Sequence, residues 1–204
     1  MRSPMESAFT EIYRAGSWGG GESASGPGSG IVRTAALRRD LAELLRKRGV
    51  RSMLDAGCGD FHWMNEAGLD LDRYVGVDVV GELVAQDRAR YADSRREFHQ
   101  LDLTRDPLPR ADLVLCRDTL VHLAFQHALA AIANLKRSGS RFLLATTFDA
   151  CDANVDVPTS DWRRLNMRLE PFGFPPPLES ISDRRPDGSF ADKRLGLWEL
   201  SACA

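Results

Sequence analysis

Residues 51–60 have the sequence RSMLDAGCGD, and this stretch decides the fold. Its apolar segment 51–55 predicts a short buried strand, and Gly57 and Gly59 follow that strand directly. Glycines in such a turn let the backbone bend sharply and approach a ligand with no Cβ in the way. The segment 61–68 (FHWMNEAG) then predicts a helix, whose first N–H groups face the same place. The stretch therefore predicts a strand–turn–helix unit with a ligand-binding turn.

Strand and helix patterns alternate around this unit. Further strands are predicted at 73–79, 96–101, 111–116 and 140–148, and helices at 31–49, 82–92 and 120–136. The last third predicts a weak helix over 161–169 and an antiparallel hairpin formed by 178–182 and 195–200. Such an alternation is typical of βαβ units. We therefore predict an α/β fold: a Rossmann-like three-layer sandwich with a mostly parallel seven-stranded sheet and a C-terminal antiparallel hairpin.

Length and composition limit the organisation of the chain. The 204 residues suit one domain, predicted at 31–204, preceded by an N-terminal arm at 1–30 whose segment 17–30 (SWGGGESASGPGSG) has linker composition. The net charge of −2 disfavours nucleic acid as a partner, and no apolar run has the length of a membrane span. The four cysteines are scattered, so neither a disulfide framework nor a metal site is expected. With no secretory leader in the sequence, we expect a cytoplasmic protein with a small-molecule substrate.

Two acidic residues follow the next predicted strands. Asp78 ends the strand 73–79, where a carboxylate is placed to accept both ribose hydroxyls of an adenosine. Asp102 follows the strand 96–101 and is placed to accept a hydrogen bond from an adenine amine; a solvated strand-end or turn aspartate is the alternative for each. The dinucleotide motif G-x-G-x-x-G lacks its third glycine here, because His62 stands in that place. Together these features favour S-adenosylmethionine over NAD or FAD.

These motifs resemble those of the class I S-adenosylmethionine-dependent methyltransferases, over residues 31–148. In that family LDAGCG corresponds to the glycine-rich motif, Asp78 to the ribose-binding acid and Asp102 to the adenine-side acid, and ADLVLCRDTLVHL resembles the motif that lines the methyl-transfer pocket. The shorter segments SGPGS, CGDFHWM, RDTLVHL, DWRRLN, PFGFPPP and LGLW resemble a bacterial methyltransferase group, but this resemblance supplies no substrate. The resemblance also makes the arm a candidate lid, with Trp18 over the cofactor; a disordered tail is the alternative. The implied cofactor-binding residues are Trp18, Asp55, Gly57, Cys58, Gly59, Asp78, Val79, Asp102, Leu103 and Cys116.

Three residues after the fourth strand are the catalytic candidates. His122 is a candidate base for a hydroxyl or amine, or else a histidine that packs on the sheet. Asp118 lies four residues earlier and would share a helix face with it if the helix begins there. Arg117 is expected to pair either with a carboxylate or phosphate of the substrate or with Asp118.

The predicted function is methyl transfer to O or N of a small-molecule or sugar-type metabolite. Three alternatives stay open. The first is another reaction of S-adenosylmethionine, such as cyclisation that releases methylthioadenosine. The second is a non-catalytic cofactor-binding module, and the third is a nucleotide-dependent oxidoreductase, which the missing third glycine disfavours.

Overall fold

The computed structural model of the chain describes residues 3–19, 21–185 and 187–203. The chain forms two compact units, of which the first ends at Asp102 and the second begins at Leu103. The first unit consists of α1 (Pro4–Ala15), a 3₁₀ turn (Pro27–Ser29), α2 (Ile31–Arg48), β1 (Ser52–Ala56), α3 (His62–Asn65), β2 (Arg73–Asp78), α4 (Gly81–Tyr91) and β3 (Arg96–Gln100). The second consists of β4 (Leu113–Cys116), a 3₁₀ turn (Leu120–His122), α5 (Phe125–Arg137), β5 (Phe142–Phe148), β6 (Glu179–Ser182), β7 (Lys193–Glu199) and a final 3₁₀ turn (Leu200–Ala202).

The seven strands form a sheet in the order β3-β2-β1-β4-β5-β7-β6. Within the first unit β1, β2 and β3 are parallel, and within the second β4 and β5 are parallel. Strand β7 runs antiparallel to both β5 and β6. The prediction of an α/β fold with a mostly parallel seven-stranded sheet and a C-terminal antiparallel pair is confirmed. The strand bounds differ from the predicted ones by only a few residues at each end.

Apolar burial explains why the strands form where they do. All seven residues of β5 are buried, as are all four of β4, which is the pattern of strands covered on both faces. In the first unit the ring of Phe61 packs on those of Tyr74 and Phe98, with centroids 4.9 and 5.1 Å apart. Phe61 has a φ of 53° and directly follows the glycine turn, so this aromatic cluster fixes the turn against β2 and β3.

The N-terminal arm contains a helix that we did not predict. Ser3 caps α1 by accepting a hydrogen bond from the backbone N–H of Glu6, Pro4 occupies the first turn, and Gly16 ends the helix with a φ of 59°. These are ordinary helix start and stop signals. Of the predicted arm 1–30 and domain 31–204, residues 1, 2, 20, 186 and 204 lie outside the described residues.

Two helix predictions were wrong. The predicted helix 120–136 is a 3₁₀ turn at Leu120–His122 followed by α5, which begins only at Phe125. Asp118 precedes this turn with a φ of 54°, outside helical geometry, so Asp118 and His122 do not share a helix face. Residues 161–169 contain no helix. No helix among the described residues is both long enough and apolar enough to cross a bilayer.

Candidate functional site

The glycine turn of the first unit is held against the end of β2. The N–H groups of Gly57 and Cys58 both donate to the carbonyl of Val77, at 2.9 and 3.1 Å. Gly57 and Gly59 have φ values of 91° and 60°, which glycine adopts without strain. A Cβ on Gly59 would overlap the hydroxyl oxygen of Ser25, so a side chain at this position would require Ser25 to move.

Asp78 binds the same turn through its side chain. Its Oδ2 accepts from the N–H of Gly59 at 3.2 Å, and its Oδ1 accepts from the N–H of Val80 at 3.0 Å. Burial raises the pKa of Asp78, and these backbone N–H groups act against that rise. The predicted ribose-binding acid therefore lies within hydrogen-bonding distance of the glycine turn.

The other predicted cofactor residues of this unit are held by neighbours of their own. Asp55 is buried and accepts from the hydroxyl of Tyr74 at 2.7 Å. Cys58 is buried, and burial raises the pKa of its thiol. The carbonyl of Val79 accepts from the side-chain amide of Gln100 at 3.1 Å. These contacts fix the walls of the turn without assigning a role to any of the three residues.

The arm contacts the predicted adenine-side acid, Asp102, and the residue that follows the glycine turn, Asp60. The Ser3 hydroxyl donates to Oδ2 of the buried Asp102 at 3.3 Å. The Asp60 carboxylate, directly after the glycine turn, accepts from the Ser23 hydroxyl at 3.0 Å and from the Ala24 N–H at 2.7 Å. Trp18 lies within the arm, with its ring centroid 6.0 Å from that of Phe9. Asp60 is a residue that the sequence analysis did not single out.

In the second unit, a buried charge cluster surrounds the turn after β4; we call Arg117, Asp118, Asp183 and Lys193 the four-charge cluster. Asp183, whose side chain is fully buried, accepts from Nε and Nη2 of Arg117 at 3.0 and 3.2 Å. Lys193 Nζ lies 2.9 Å from Asp183 Oδ2 and 2.5 Å from Asp118 Oδ2. Arg117 therefore pairs mainly with Asp183, since its distance to Asp118 is 3.9 Å. Asp183 and Lys193 were missed by the sequence analysis.

Asp118 is held in its unusual backbone conformation by Thr146. The Thr146 hydroxyl accepts from the Asp118 N–H at 2.8 Å and donates to its Oδ1 at 3.3 Å. Burial acts to raise the pKa of Asp118, but Lys193 and Arg117 outweigh it and lower that pKa to about 2. Asp118 is therefore ionised at neutral pH and acts as a hydrogen-bond acceptor rather than as a base.

His122 has a defined tautomer. Its Nδ1 lies 3.2 Å from the backbone carbonyl of Asp161. Because a carbonyl only accepts, Nδ1 carries the hydrogen, and Nε2 carries the lone pair of the neutral ring. Burial lowers the pKa of His122 below 6.5, against the opposite effect of Asp118, so the ring is neutral at pH 7.

A strap formed by residues 156–163 fixes the position of His122. The N–H of Ser160 donates to the carbonyl of His122 at 2.8 Å, and the N–H of Arg163 donates to the carbonyl of Val121 at 3.1 Å. Asp156 accepts from the N–H of Phe125 at 2.7 Å, at the start of α5.

The remaining two predicted cofactor residues, Leu103 and Cys116, are both buried. Cys116 ends β4, and the carbonyl of Leu103 accepts from the side-chain amide of Asn134 at 2.9 Å. Among the described residues no group of His, Cys, Asp and Glu is arranged to hold a metal ion.

Comparisons with known proteins agree with this fold. Residues 54–144 match the family model described as "Methyltransferase domain". The fold resembles that of magnesium protoporphyrin IX methyltransferase from Synechocystis PCC 6803 with bound S-adenosylmethionine (TM-score 0.64, 14% identity, 96% of each chain). It also resembles 1,6-didemethyltoxoflavin-N1-methyltransferase of Burkholderia thailandensis (TM-score 0.65, 18% identity, 95% of this chain and 85% of that one) and the methyltransferase domain of bacterial CtHen1 (TM-score 0.59, 13% identity, 81% and 98%). No curated protein matches the sequence.

The fold and the matching family model define an enzyme that uses S-adenosylmethionine. The match over residues 54–144 and the fold together indicate an S-adenosylmethionine-dependent methyltransferase with a class I, Rossmann-like fold. The predicted family, cofactor and enzyme class are thereby confirmed.

Proposed function

We propose that this enzyme methylates an oxygen or nitrogen atom of a small-molecule or sugar-type metabolite, with His122 as the base. The observation that carries the proposal is the state of His122: its Nδ1 hydrogen is bound to the Asp161 carbonyl, and its ring is neutral at pH 7. A neutral imidazole with a fixed tautomer suits an acceptor that arrives protonated, as hydroxyls and amines do. Two of the similar structures are, by name, methyltransferases of small molecules, which supports this class of acceptor.

The cofactor supplies a methyl group on a positively charged sulfur. Within the first unit we assign Asp78 to the ribose hydroxyls and Asp102 to the adenine amine, with the glycine turn close to the ligand backbone. The proposed cofactor-binding set is Trp18, Asp55, Gly57, Cys58, Gly59, Asp78, Val79, Asp102, Leu103 and Cys116. The half-buried Asp78 carboxylate fits an adenosine, because it accepts from two N–H groups and retains lone pairs for hydroxyl donors.

On the acceptor side we assign three roles within the second unit. His122 Nε2 takes the proton that the accepting atom loses as its bond to the methyl carbon forms. Asp118, which stays ionised, accepts a hydrogen bond from an O–H or N–H of the acceptor and orients it. Arg117 holds Asp183 and, through the four-charge cluster, supports the turn that carries Asp118.

We further propose that residues 1–30 form a lid and that residues 31–204 act as one methyltransferase domain. The hydrogen bonds from Ser23 and Ala24 to Asp60 fasten the arm beside the glycine turn, and Ser3 reaches Asp102. A lid that excludes water favours a reaction in which a charged sulfonium is attacked. The cytoplasmic location expected from the sequence stays a prediction.

The test is a titration followed by a product assay. Calorimetry should show micromolar binding of S-adenosylmethionine and S-adenosylhomocysteine and none of NAD. A panel of hydroxyl- and amine-bearing metabolites is then assayed by mass spectrometry for a methylated product together with S-adenosylhomocysteine. His122→Asn should lower turnover by about 10²- to 10⁴-fold and leave cofactor affinity unchanged. His99→Asn, at an exposed position of β3, is the control and should keep full turnover.

The products separate the alternatives. Methylthioadenosine in place of S-adenosylhomocysteine would establish cyclisation or a related sulfonium reaction. Tight cofactor binding without turnover of any acceptor would support a non-catalytic module. Full activity of His122→Asn on the identified acceptor would show that His122 is not the base.

A further inference from the structure

Arg163 is a buried arginine with an unsatisfied hydrogen-bonding edge. The residue is 6% exposed, and its Nε and Nη2 have no hydrogen-bond partner. Its Nη1 lies 3.5 Å from the carbonyl of Val121, at the limit of a hydrogen bond, and the guanidinium carbon lies 4.9 Å above the ring of Phe125. The nearby Asp156 uses its Oδ1 to accept from the N–H groups of Phe125 and Val157.

A buried arginine with unsatisfied N–H groups destabilises the folded state. Guanidinium groups remain protonated in proteins, and a buried charge without a partner destabilises the folded state. Stacking on Phe125 compensates for one face of the guanidinium but supplies no acceptor to the N–H groups in its plane. Buried donors are nearly always satisfied, so two unsatisfied nitrogens on one side chain call for a ligand from outside the chain.

The geometry of the unsatisfied edge indicates which ligand. Nε and Nη2 lie on the same edge of the guanidinium and form a fork that matches two oxygens of a carboxylate or phosphate. Arg117 provides an internal reference, because it binds the Asp183 carboxylate through the same two atoms, at 3.0 and 3.2 Å. In Arg163 this fork has no carboxylate.

Arg163 also lies beside the proposed base. Its N–H donates to the carbonyl of Val121, the neighbour of His122, and its charge contributes to lowering the pKa of His122. Two residues before it, Asp161 accepts the Nδ1 hydrogen of His122, and the intervening Trp162 is 45% exposed. Within three residues, the strap thus contains both the unsatisfied nitrogens of Arg163 and the Asp161 carbonyl that bonds His122.

We propose that Arg163 binds an anionic group of the acceptor, a carboxylate or a phosphate, through Nε and Nη2, and that the acceptor is therefore an acidic metabolite. The inference rests on the proposed function in one respect, that His122 lies at the acceptor site. Neither nitrogen has exposed surface, so the segment 160–163 has to shift when the anion enters.

Thermal unfolding with small anions tests the proposal without cofactor or turnover. Inorganic phosphate, succinate and acetate are titrated at constant ionic strength into the wild type, Arg163→Met and Arg164→Met. Arg164 is the matched control, since it is the next residue, is 42% exposed and already faces Asp192. We expect phosphate or a carboxylate to raise the Tm of the wild type and of Arg164→Met, with at least a tenfold weaker apparent affinity in Arg163→Met. Whether phosphate or a carboxylate raises the Tm indicates which anionic group of the acceptor Arg163 binds.

The Tm without added anion gives a second readout. Only the longer-range attraction of Asp156 offsets the burial of the Arg163 charge, so its removal should leave Arg163→Met at least as stable as the wild type. Arg163→Lys keeps the charge but loses the fork, and it should respond weakly to anions. The same anion response in Arg163→Met and the wild type, or no response in the wild type, would overturn the proposal. So would an Arg163→Met protein that unfolds well below both the wild type and Arg164→Met, because the guanidinium would then be structural. The titration with S-adenosylhomocysteine is run on the same proteins, so a failure here is distinguishable from a failure of the proposed function.

Discussion

Replacing Asp183 by asparagine tests whether the four-charge cluster holds the turn that carries Asp118. The Asp183 side chain is fully buried and lies 3.0 Å from Arg117 Nε and 2.9 Å from Lys193 Nζ. In the variant the carboxylate of Asp118, whose side chain is 29% exposed, remains beside Lys193. Removal of one partner of a buried ion pair costs about 3–5 kcal/mol. Because Asp118 remains, we expect the lower end of that range, about 3 kcal/mol.

The expected change in Tm follows from the size of the chain. For a domain of 150–250 residues, each kcal/mol lowers the Tm by about 2–4 °C, so Asp183→Asn should unfold about 6–12 °C below the wild type. The assay is thermal unfolding followed by circular dichroism at pH 7.5, with urea unfolding as an independent measure. Asp149→Asn is the control, because its carboxylate pairs with Arg194 at 2.9 Å but is 53% exposed, and such surface pairs contribute about 0–1 kcal/mol.

A double-mutant cycle separates the charge effect from a change in packing. Lys193→Met in the Asp183→Asn background removes one of the two cations that face position 183, so the double variant should be less destabilised than the sum of the single ones. An Asp183→Asn protein as stable as Asp149→Asn would refute the reasoning, since the cluster would then contribute nothing to the fold. Additive losses in the cycle would refute the coupling between Lys193 and Asp183.

Four further predictions concern single residues. Asp78→Ala should weaken binding of S-adenosylhomocysteine by about 1–3 kcal/mol in calorimetry, and unchanged affinity in a folded variant would make the ribose assignment wrong. The rate of methyl transfer should fall as the pH decreases through the pKa of His122, which burial holds below 6.5, because the protonated ring accepts no proton; the same acid limb in His122→Asn would assign it to another group. Burial raises the pKa of Asp87 to about 8, so the folded state prefers the neutral acid. It therefore loses stability, by about 1.4 kcal/mol per pH unit, as the pH rises from the unfolded-state pKa of about 4 towards 8. Asp87→Asn should therefore exceed the wild type in Tm at pH 8 by more than at pH 5, and a difference independent of pH would contradict this. Asp60→Asn should speed hydrogen–deuterium exchange around Ala24, and unchanged exchange would mean that Asp60 does not fasten the arm.

The features that local sequence signals control were predictable. The strands β1, β2, β4 and β5 are apolar runs, and the glycine turn follows from the two glycines after β1. Helix α2 ends where Gly49 takes a φ of 65°, as its sequence indicated. Helix α1 carried equally clear signals, since Ser3, Pro4 and Glu6 form a capped helix start. It was overlooked because the glycine-rich composition of 17–30 dominated the interpretation of the arm.

The break after β4 was not predictable from periodicity. Apolar residues continue at helical spacing from Leu120 into α5, and this pattern hides the 3₁₀ turn at Leu120–His122. The helix is interrupted at Leu123 and Ala124, whose ψ angles of 132° and 150° are not helical. The strap holds this break, because the N–H of Ser160 donates to the carbonyl of His122 and the hydroxyl of Thr159 accepts from the N–H of Ala124. Both contacts come from segments distant in the sequence, so tertiary structure overrides the local pattern here.

The roles of the two arginines show why residue type and position alone did not suffice. Arg117 stands at the end of a strand, where an anion-binding arginine is expected, but its fork is filled by Asp183, 66 residues away. That partner depends on where the chain after β6 lies, which no spacing within the β4 motif encodes. Arg163 stands in a segment without a regular pattern, and it alone of the two keeps Nε and Nη2 unsatisfied in a buried place. A guanidinium can bind a substrate anion only when no carboxylate of the fold already occupies it. The sequence predicted Arg117 as a candidate anion-binding residue, and in our proposal the anion-binding residue is Arg163.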